Sequence, residues 1–351
     1  MKYHAVNICP NSDSGLCNQL YSLINCICHC INEDINILFI DKFYKSINTN
    51  NYCNINEIIN INFMNNFLSR YNIFLVDSKN FIFNVENAFL INDEGNEVHN
   101  VTDNINIFLK NNYFFISSNT ILNFIPNDDT YLLKIKYTID NGFFYEIKTI
   151  KNKILNENIL YDFNNLFYHV TSVIGYKLKY FWDILKNIEF TNEFIFNAQL
   201  IKNNINIHNS SNINCIHLRI ENDFINIYSK KYNISFDLIK NILEIYFIKI
   251  IEQIINKKDL TIILTSKTDN NVIRYLANNN YFFQIIPKLY NDRELNAIID
   301  LEVGLICNNM LIIVFESSFS YTLKHKIKNN IHIHELSFEQ LIEEEIINKI
   351  K

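Results

Sequence analysis

From Ile213 onward, short runs of apolar residues alternate with longer stretches whose apolar positions recur at helical spacing. Ile213 to Arg219 reads as a strand, and Ser235 is placed to cap a long helix reaching about Ile255. Leu260 to Thr265 predicts a strand, Asp269 to Asn279 a helix, and Tyr281 to Ile286 a strand ended by Pro287. Asp292 to Cys307 reads as helix, Met310 to Phe315 as strand and Ser317 to about Lys326 as helix. A short strand, Ile331 to His334, and a helix from Ser337 to Lys351 close the chain. Strands alternating with helices of this length predict a parallel sheet covered on both faces. Residues 206–351 are therefore expected to form a Rossmann-like domain.

The other end opens with the same grammar. Tyr3 to Ile8 reads as a strand, Cys9 to Ser14 as a loop, Gly15 to about Ile31 as a helix and Ile35 to Ile40 as a strand. Leu16, Leu20, Leu23, Ile24, Ile27 and Ile31 give that helix one apolar face for packing on a sheet. Residues 50–130 mix short apolar runs with Asn-rich stretches and give no firm pattern. Asp162 to Ile201, which includes the only tryptophan, Trp182, reads as mostly helical. Residues 1–205 are taken as a first domain of α/β class.

The length suits two domains of ordinary size or one large one, and 351 residues with 48% hydrophobic and 19% charged content can bury a substantial core. A net charge of -6, with lysines in no long block, argues against a general nucleic-acid surface. The most apolar segment, Ile242 to Ile255, is broken by Glu244, Lys249 and Glu252, so no membrane span is expected. The first residues lack the apolar segment of a signal peptide, and the expected location is the cytoplasm. Eight cysteines fall in no disulfide-framework spacing, which predicts free thiols. Cys26, Cys28 and Cys30 invite a zinc reading, yet on a helix i and i+2 side chains diverge, so buried small apolar residues are the better reading.

The chain is crowded with Asn, Ile, Lys, Tyr and Phe and poor in Gly, Pro, Ala and Arg, a signature of A+T-rich coding that suits a large DNA virus or a protist. Only four arginines occur, Arg70, Arg219, Arg274 and Arg293. Lysine supplies charge almost anywhere, but only guanidinium offers a rigid fork matching two phosphate or carboxylate oxygens. Arg219 is thus a candidate anion ligand, and it ends a predicted strand, where open α/β sheets bind their ligands. Two other candidate groups fall at strand ends: Thr265 to Asp269, and Glu316-Ser317-Ser318-Phe319-Ser320. The serines of the latter can cap a helix or offer hydroxyls and backbone N–H groups to phosphate.

Near the start, Gly15 permits close backbone approach by a ligand, and Asn18 and Gln19 can turn amides toward a cleft; a plain helix start explains the loop equally well. His217 within a strand reads by itself as a satisfied core histidine. Glu221-Asn222-Asp223 resembles the acidic pair by which many glycosyltransferases hold a divalent metal, but a metal would compete with Arg219 for the same phosphates, so no metal is expected. Those carboxylates can instead orient Arg219 or act as a base. Neither a P-loop nor a GxGxxG sequence is present, so ATP hydrolysis and NAD binding lack their usual signature.

Taken in order, these pieces resemble the GDP-fucose O-fucosyltransferase superfamily and the related α1,2-fucosyltransferases. Gly15-Leu16-Cys17-Asn18-Gln19-Leu20 is similar to the family's Gly-x-Gly-Asn-Gln element beside donor and acceptor, with Cys17 in place of the second glycine. His217-Leu218-Arg219 matches its His-x-Arg motif, whose arginine contacts the donor diphosphate. Arg293 to Asp300, followed by Ser317-Ser318-Phe319-Ser320, is similar to the C-terminal donor motif, in which an aspartate recognises the base and the serine-phenylalanine turn holds phosphate and ribose. The commoner Arg-Arg-Gly-Asp continuation of the second motif is missing, and residues 45–205 show no match.

The resemblance implies a GT-B architecture, with two Rossmann-like domains facing a cleft and the nucleotide sugar held by the second. It implies inverting, metal-independent transfer of fucose or a related sugar to a glycan or protein hydroxyl, with GDP-fucose the favoured donor and no separate cofactor. Arg219 would stabilise the leaving diphosphate, and Glu221, Asp223 or Asp13 would take the acceptor's proton. Gly15, Asn18, His217, Thr265, Asp300, Ser317, Ser318 and Phe319 would line the donor. The alternative is a non-catalytic glycan- or protein-binding module on the same fold.

Overall fold

The structure is a computed structural model that describes residues 15–32, 36–40, 42–46, 51–77, 83–91, 97–100, 102–103, 132–139, 143–150, 180–205 and 212–343. The chain divides into two compact units. One comprises Met1–Asp13, Gln19–Tyr44 and Asn50–Glu189; the other comprises Ser14–Asn18, Lys45–Thr49 and Phe190–Lys351. The strand expected at Tyr3 to Ile8 and the part of the helical reading before residue 180 lie outside the described residues.

In the first unit, β1 (Ile37–Ile40) pairs in parallel with β4 (Phe74–Asp77), and β2 (Lys42–Tyr44) pairs antiparallel with β3 (Tyr52–Asn54). A four-stranded antiparallel sheet follows in the order β6-β5-β7-β8, built from β5 (Phe83–Ile91), β6 (Glu97–Asn100), β7 (Leu132–Ile139) and β8 (Phe143–Ile150). The helix Leu16–Asn32 begins one residue after Gly15. It is buried on more than the single face expected, with Tyr21, Cys26, Cys28 and Cys30 enclosed as fully as Leu20 and Ile24. Small thiols make this possible, since they fill space between larger side chains. Burial pushes Cys28 and Cys30 up to about 12, so both remain protonated and act as apolar filler.

The second unit is built on a parallel sheet in the order β11-β10-β9-β12-β13, from β9 (Ile213–His217), β10 (Leu260–Leu264), β11 (Phe283–Ile285), β12 (Met310–Val314) and β13 (His332–Leu336). The central strands read INCIH, LTIIL and MLIIV and are buried along nearly their whole length, as strands covered on both faces require. Helices Asn222–Tyr232, Phe236–Ile254, Asn271–Asn278, Arg293–Gly304 and Ser318–Lys326 connect them. Ser235 caps the longest by accepting from Leu238 N, as its position predicted. Among the described residues no helix is long and apolar enough to cross a membrane.

Asparagine takes over work that glycine usually does. The non-glycine residues with positive φ are Asn72, Asn233 and Asn280, at 59°, 52° and 58° among the described residues. Asn233 ends helix Asn222–Tyr232 in the left-handed region that glycine otherwise supplies. A chain with five glycines thus keeps its helix stops.

The strand order positions the site. From β9 the chain moves outward through β10 to β11, then returns to the other side of β9 for β12 and β13. The direction of winding reverses between β9 and β12, the position at which open α/β sheets bind ligands beyond the carboxyl ends of their strands.

Candidate functional site

His217, the last residue of β9, crosses this switch point. Its Nδ1 lies 2.7 Å from Ser320 Oγ, and its ring centroid lies 4.6 Å from that of Phe319, both on the helix that follows β12. Ser320 Oγ accepts from Val314 N at 3.1 Å, and Ser317 caps the same helix by accepting from Ser320 N. Burial, then the charges of Arg219, Arg293 and Lys288, lower His217 to about 3. The imidazole is neutral and structural: it fixes the turn that presents the half-buried Ser318 and Phe319 at the start of helix Ser318–Lys326.

Two residues further on, Arg219 is held from two sides with 19% of its side chain exposed. Nη1 lies 3.0 Å from Glu221 Oε2, an ionic contact without hydrogen-bond alignment, and Nη2 donates to Asp223 Oδ2 at 3.1 Å. The guanidinium carbon sits 5.2 Å from the Phe224 ring centroid. Glu221 is buried and accepts from Ser266 Oγ at 3.1 Å, tying this loop to the one after β10. Thr265, expected to face the donor, is buried, and its hydroxyl makes a local turn with Lys267 N and O, each at 3.2 Å.

A second guanidinium enters from helix Arg293–Gly304. Arg293 Nη2 donates to the same Asp223 Oδ2 at 3.3 Å. Burial alone would raise Asp223, but the two arginines outweigh it and hold the carboxyl below its ordinary range. Next to Arg293, Glu294 is buried and accepts from Leu16 N at 2.5 Å, so the first helix starts against the third motif. A Cβ on Gly15 would meet Glu294 Oε2 at 3.4 Å, an ordinary contact, so space alone does not demand glycine there. Cys17, in the place of the family's second glycine, is buried and hydrogen-bonded to Thr322, and burial pushes it up to about 12.

Asp300, the residue expected to read the base, is buried in helix Arg293–Gly304. Lys288 Nζ donates to its Oδ2 at 2.7 Å, while Oδ1 has no hydrogen-bond partner. Burial raises it to about 6 despite Lys288. Asn18 Oδ1 is likewise buried without a hydrogen-bond partner. Asp13 lies outside the described residues. Among the described residues, no three His, Cys, Asp or Glu side chains gather where they would hold a metal ion, and both carboxylates of Glu221-Asn222-Asp223 face guanidinium groups.

The roles of Arg293, Glu294 and Lys288 were not read from the sequence. The scarcity that singled out Arg219 applied equally to Arg293.

No protein-family model matches the sequence, and no curated protein matches it. Among solved structures, the fold is similar to that of POFUT1 in its apo form, at TM-score 0.50 and 10% identity over 95% of this chain and 97% of that one. A POFUT1 complex with GDP-fucose aligns at TM-score 0.49 and 10% identity over 96% and 98% of the two chains. A mutant of Arabidopsis thaliana FUT1 in complex with GDP aligns at TM-score 0.42 and 11% identity over 95% and 70%. At these identities the likeness is one of fold, and it gives this chain the GT-B type α/β fold of POFUT1.

Proposed function

We propose that the protein is a glycosyltransferase that moves fucose, or a related sugar, from a nucleotide-sugar donor to a hydroxyl of a glycan or protein, with inversion and without a metal ion. GDP-fucose is the favoured donor. The observation that carries this reading is the meeting, at the β9/β12 switch point, of the His217–Arg219 strand end, the Ser317–Ser320 helix start and Arg293. The shared fold with apo POFUT1 supports it.

The acceptor oxygen would attack the anomeric carbon as the bond to the diphosphate breaks, and the electron pair of that bond would leave on the diphosphate. Arg219, already oriented by Glu221 and Asp223, would meet that developing charge. The guanidinium groups supply the cationic character for which other transferases use a metal. The acceptor's proton would pass to a carboxylate, Glu221, Asp223 or Asp13. Asp223 is a poor base while two arginines hold it low. The unpaired Oδ1 of Asp300 is suited to accept from the N–H groups of a purine such as guanine.

Two measurements test the reading. A thermal-shift screen should show stabilisation by GDP above other nucleotides; stabilisation by none would favour the binding-module alternative. Arg219→Lys, which keeps the charge and loses the fork, should lower transfer by about a hundredfold or more with the fold intact. Wild-type turnover in that variant would sink the role given to Arg219.

A further inference from the structure

We propose that Arg293 is a second donor-phosphate ligand, forming with Arg219 a two-guanidinium clamp whose spacing is set by Asp223. This rests on the nucleotide-sugar reading and adds a residue to it. Of the four arginines, Arg70 pairs with Asp183 and Arg274 with Asp269 in exposed ion pairs. The other two, 74 residues apart in sequence, converge on one oxygen, Asp223 Oδ2, at 3.1 and 3.3 Å.

Asp223, with Glu221 at 3.0 Å from Arg219 and Glu294 at 3.8 Å from Arg293, offsets the repulsion between the two guanidinium groups and holds them side by side. A diphosphate offers separated oxygens to two such forks at once. Each fork carries five N–H donors. The contacts of Arg293 are the Asp223 bond and a longer ion pair from Nε to Glu294 Oε1 at 3.8 Å. Its side chain is 36% exposed, within reach of a ligand.

Its base is fixed. Glu294 N donates to Lys45 O at 3.0 Å, Ser46 Oγ donates to Asp292 Oδ1 at 3.1 Å, and Glu294 takes Leu16 N. Arg293 therefore projects from a helix start anchored on three sides. Lysine would serve if the position needed only charge, and lysine is what this chain uses for charge elsewhere: Lys and Arg together number 31, and four of them are arginine.

Calorimetric titration of the full chain with GDP, GMP and guanosine tests the proposal. Arg293→Gln should weaken GDP by about tenfold to a hundredfold, the range for losing hydrogen bonds to a charged group. GMP should lose less, so the GDP-to-GMP affinity ratio falls, and guanosine should be unmoved. Arg293→Lys should fall between wild type and Gln and covers the case in which Gln fails to fold. An unchanged ratio, or equal losses for GDP and GMP, would overturn the clamp and leave Arg293 a structural partner of Asp223. A wild-type chain that binds no nucleotide would instead remove the nucleotide-sugar reading, and the clamp with it.

Discussion

Asp300 makes a prediction whose size can be worked out. Its carboxyl is buried, one oxygen has no hydrogen-bond partner, and the Lys288 ammonium at 2.7 Å does not fully offset the loss of water, so it sits at about 6. An unfolded aspartate titrates near 3.9. The folded state therefore binds more protons than the unfolded one between these values, and stability falls as pH rises. The contribution is fully present below about pH 4, is lost between about pH 4 and 6, and is flat above. About two units at 1.36 kcal/mol each is a loss of roughly 3 kcal/mol. At about 2 to 4 °C per kcal/mol for a domain of this size, the melting temperature should fall by roughly 6 to 12 °C across that window. Glu294, also raised by burial, tilts the profile in the same direction, so the informative quantity is a difference. Asp300→Asn removes this slope alone, because Lys288 is partly exposed and can turn to water. Melting curves of both proteins from pH 4 to 8 should diverge, the wild type losing stability relative to Asn as pH rises. Superimposable profiles would refute the argument. In the liganded protein the wild-type slope should shrink if guanine N–H groups satisfy the carboxylate, which ties the measurement to the site.

Two further perturbations probe the scaffold beneath the site. Gly304→Ala places a methyl group 3.0 Å from both Leu264 Cδ1 and Leu323 Cδ1. The crowding costs about 1 to 3 kcal/mol against a helix-propensity gain of about 1 kcal/mol, so denaturant unfolding should show a net loss; a gain would show that both leucines move freely. Glu244 is buried and accepts from Asn271 N at 3.3 Å and Asn271 Nδ2 at 2.6 Å, holding the start of helix Asn271–Asn278. Glu244→Ala should cost about 1 to 3 kcal/mol in the same assay, and a change under about 0.5 kcal/mol would mean that water replaces the carboxylate.

The second unit was legible because strands buried on both faces leave uninterrupted apolar runs, and LTIIL and MLIIV carry that signal within a residue or two of their limits. Helix Asn222–Tyr232 was missed: eleven residues long and stopped by Asn233 rather than glycine, it lacks the usual ending. The antiparallel sheet was missed for another reason. Ile and Asn are so frequent that strands and loops share a composition, and β5 takes β7, more than 40 residues away, as a neighbour alongside β6. No local window contains that pairing. The same division runs through the site. Glu221 and Asp223 lie two and four residues from Arg219, so their contact with it is within reach of a local reading. The bond between Leu16 and Glu294 spans 278 residues and exists only in the fold.

That bond explains how three short, separated motifs can act together. Leu16, Cys17 and Asn18 belong to the same compact unit as the sheet, although their helix continues into the other unit. Glu294 binds the first turn of that helix and directly follows Arg293. Arg293 shares Asp223 with Arg219, and Arg219 follows His217, which reaches Ser320. Each link is a hydrogen bond, an ion pair or a step along the chain, and each joins a motif to the next. Two of the chain's four arginines lie on this path, and Gly15 directly precedes its first bond.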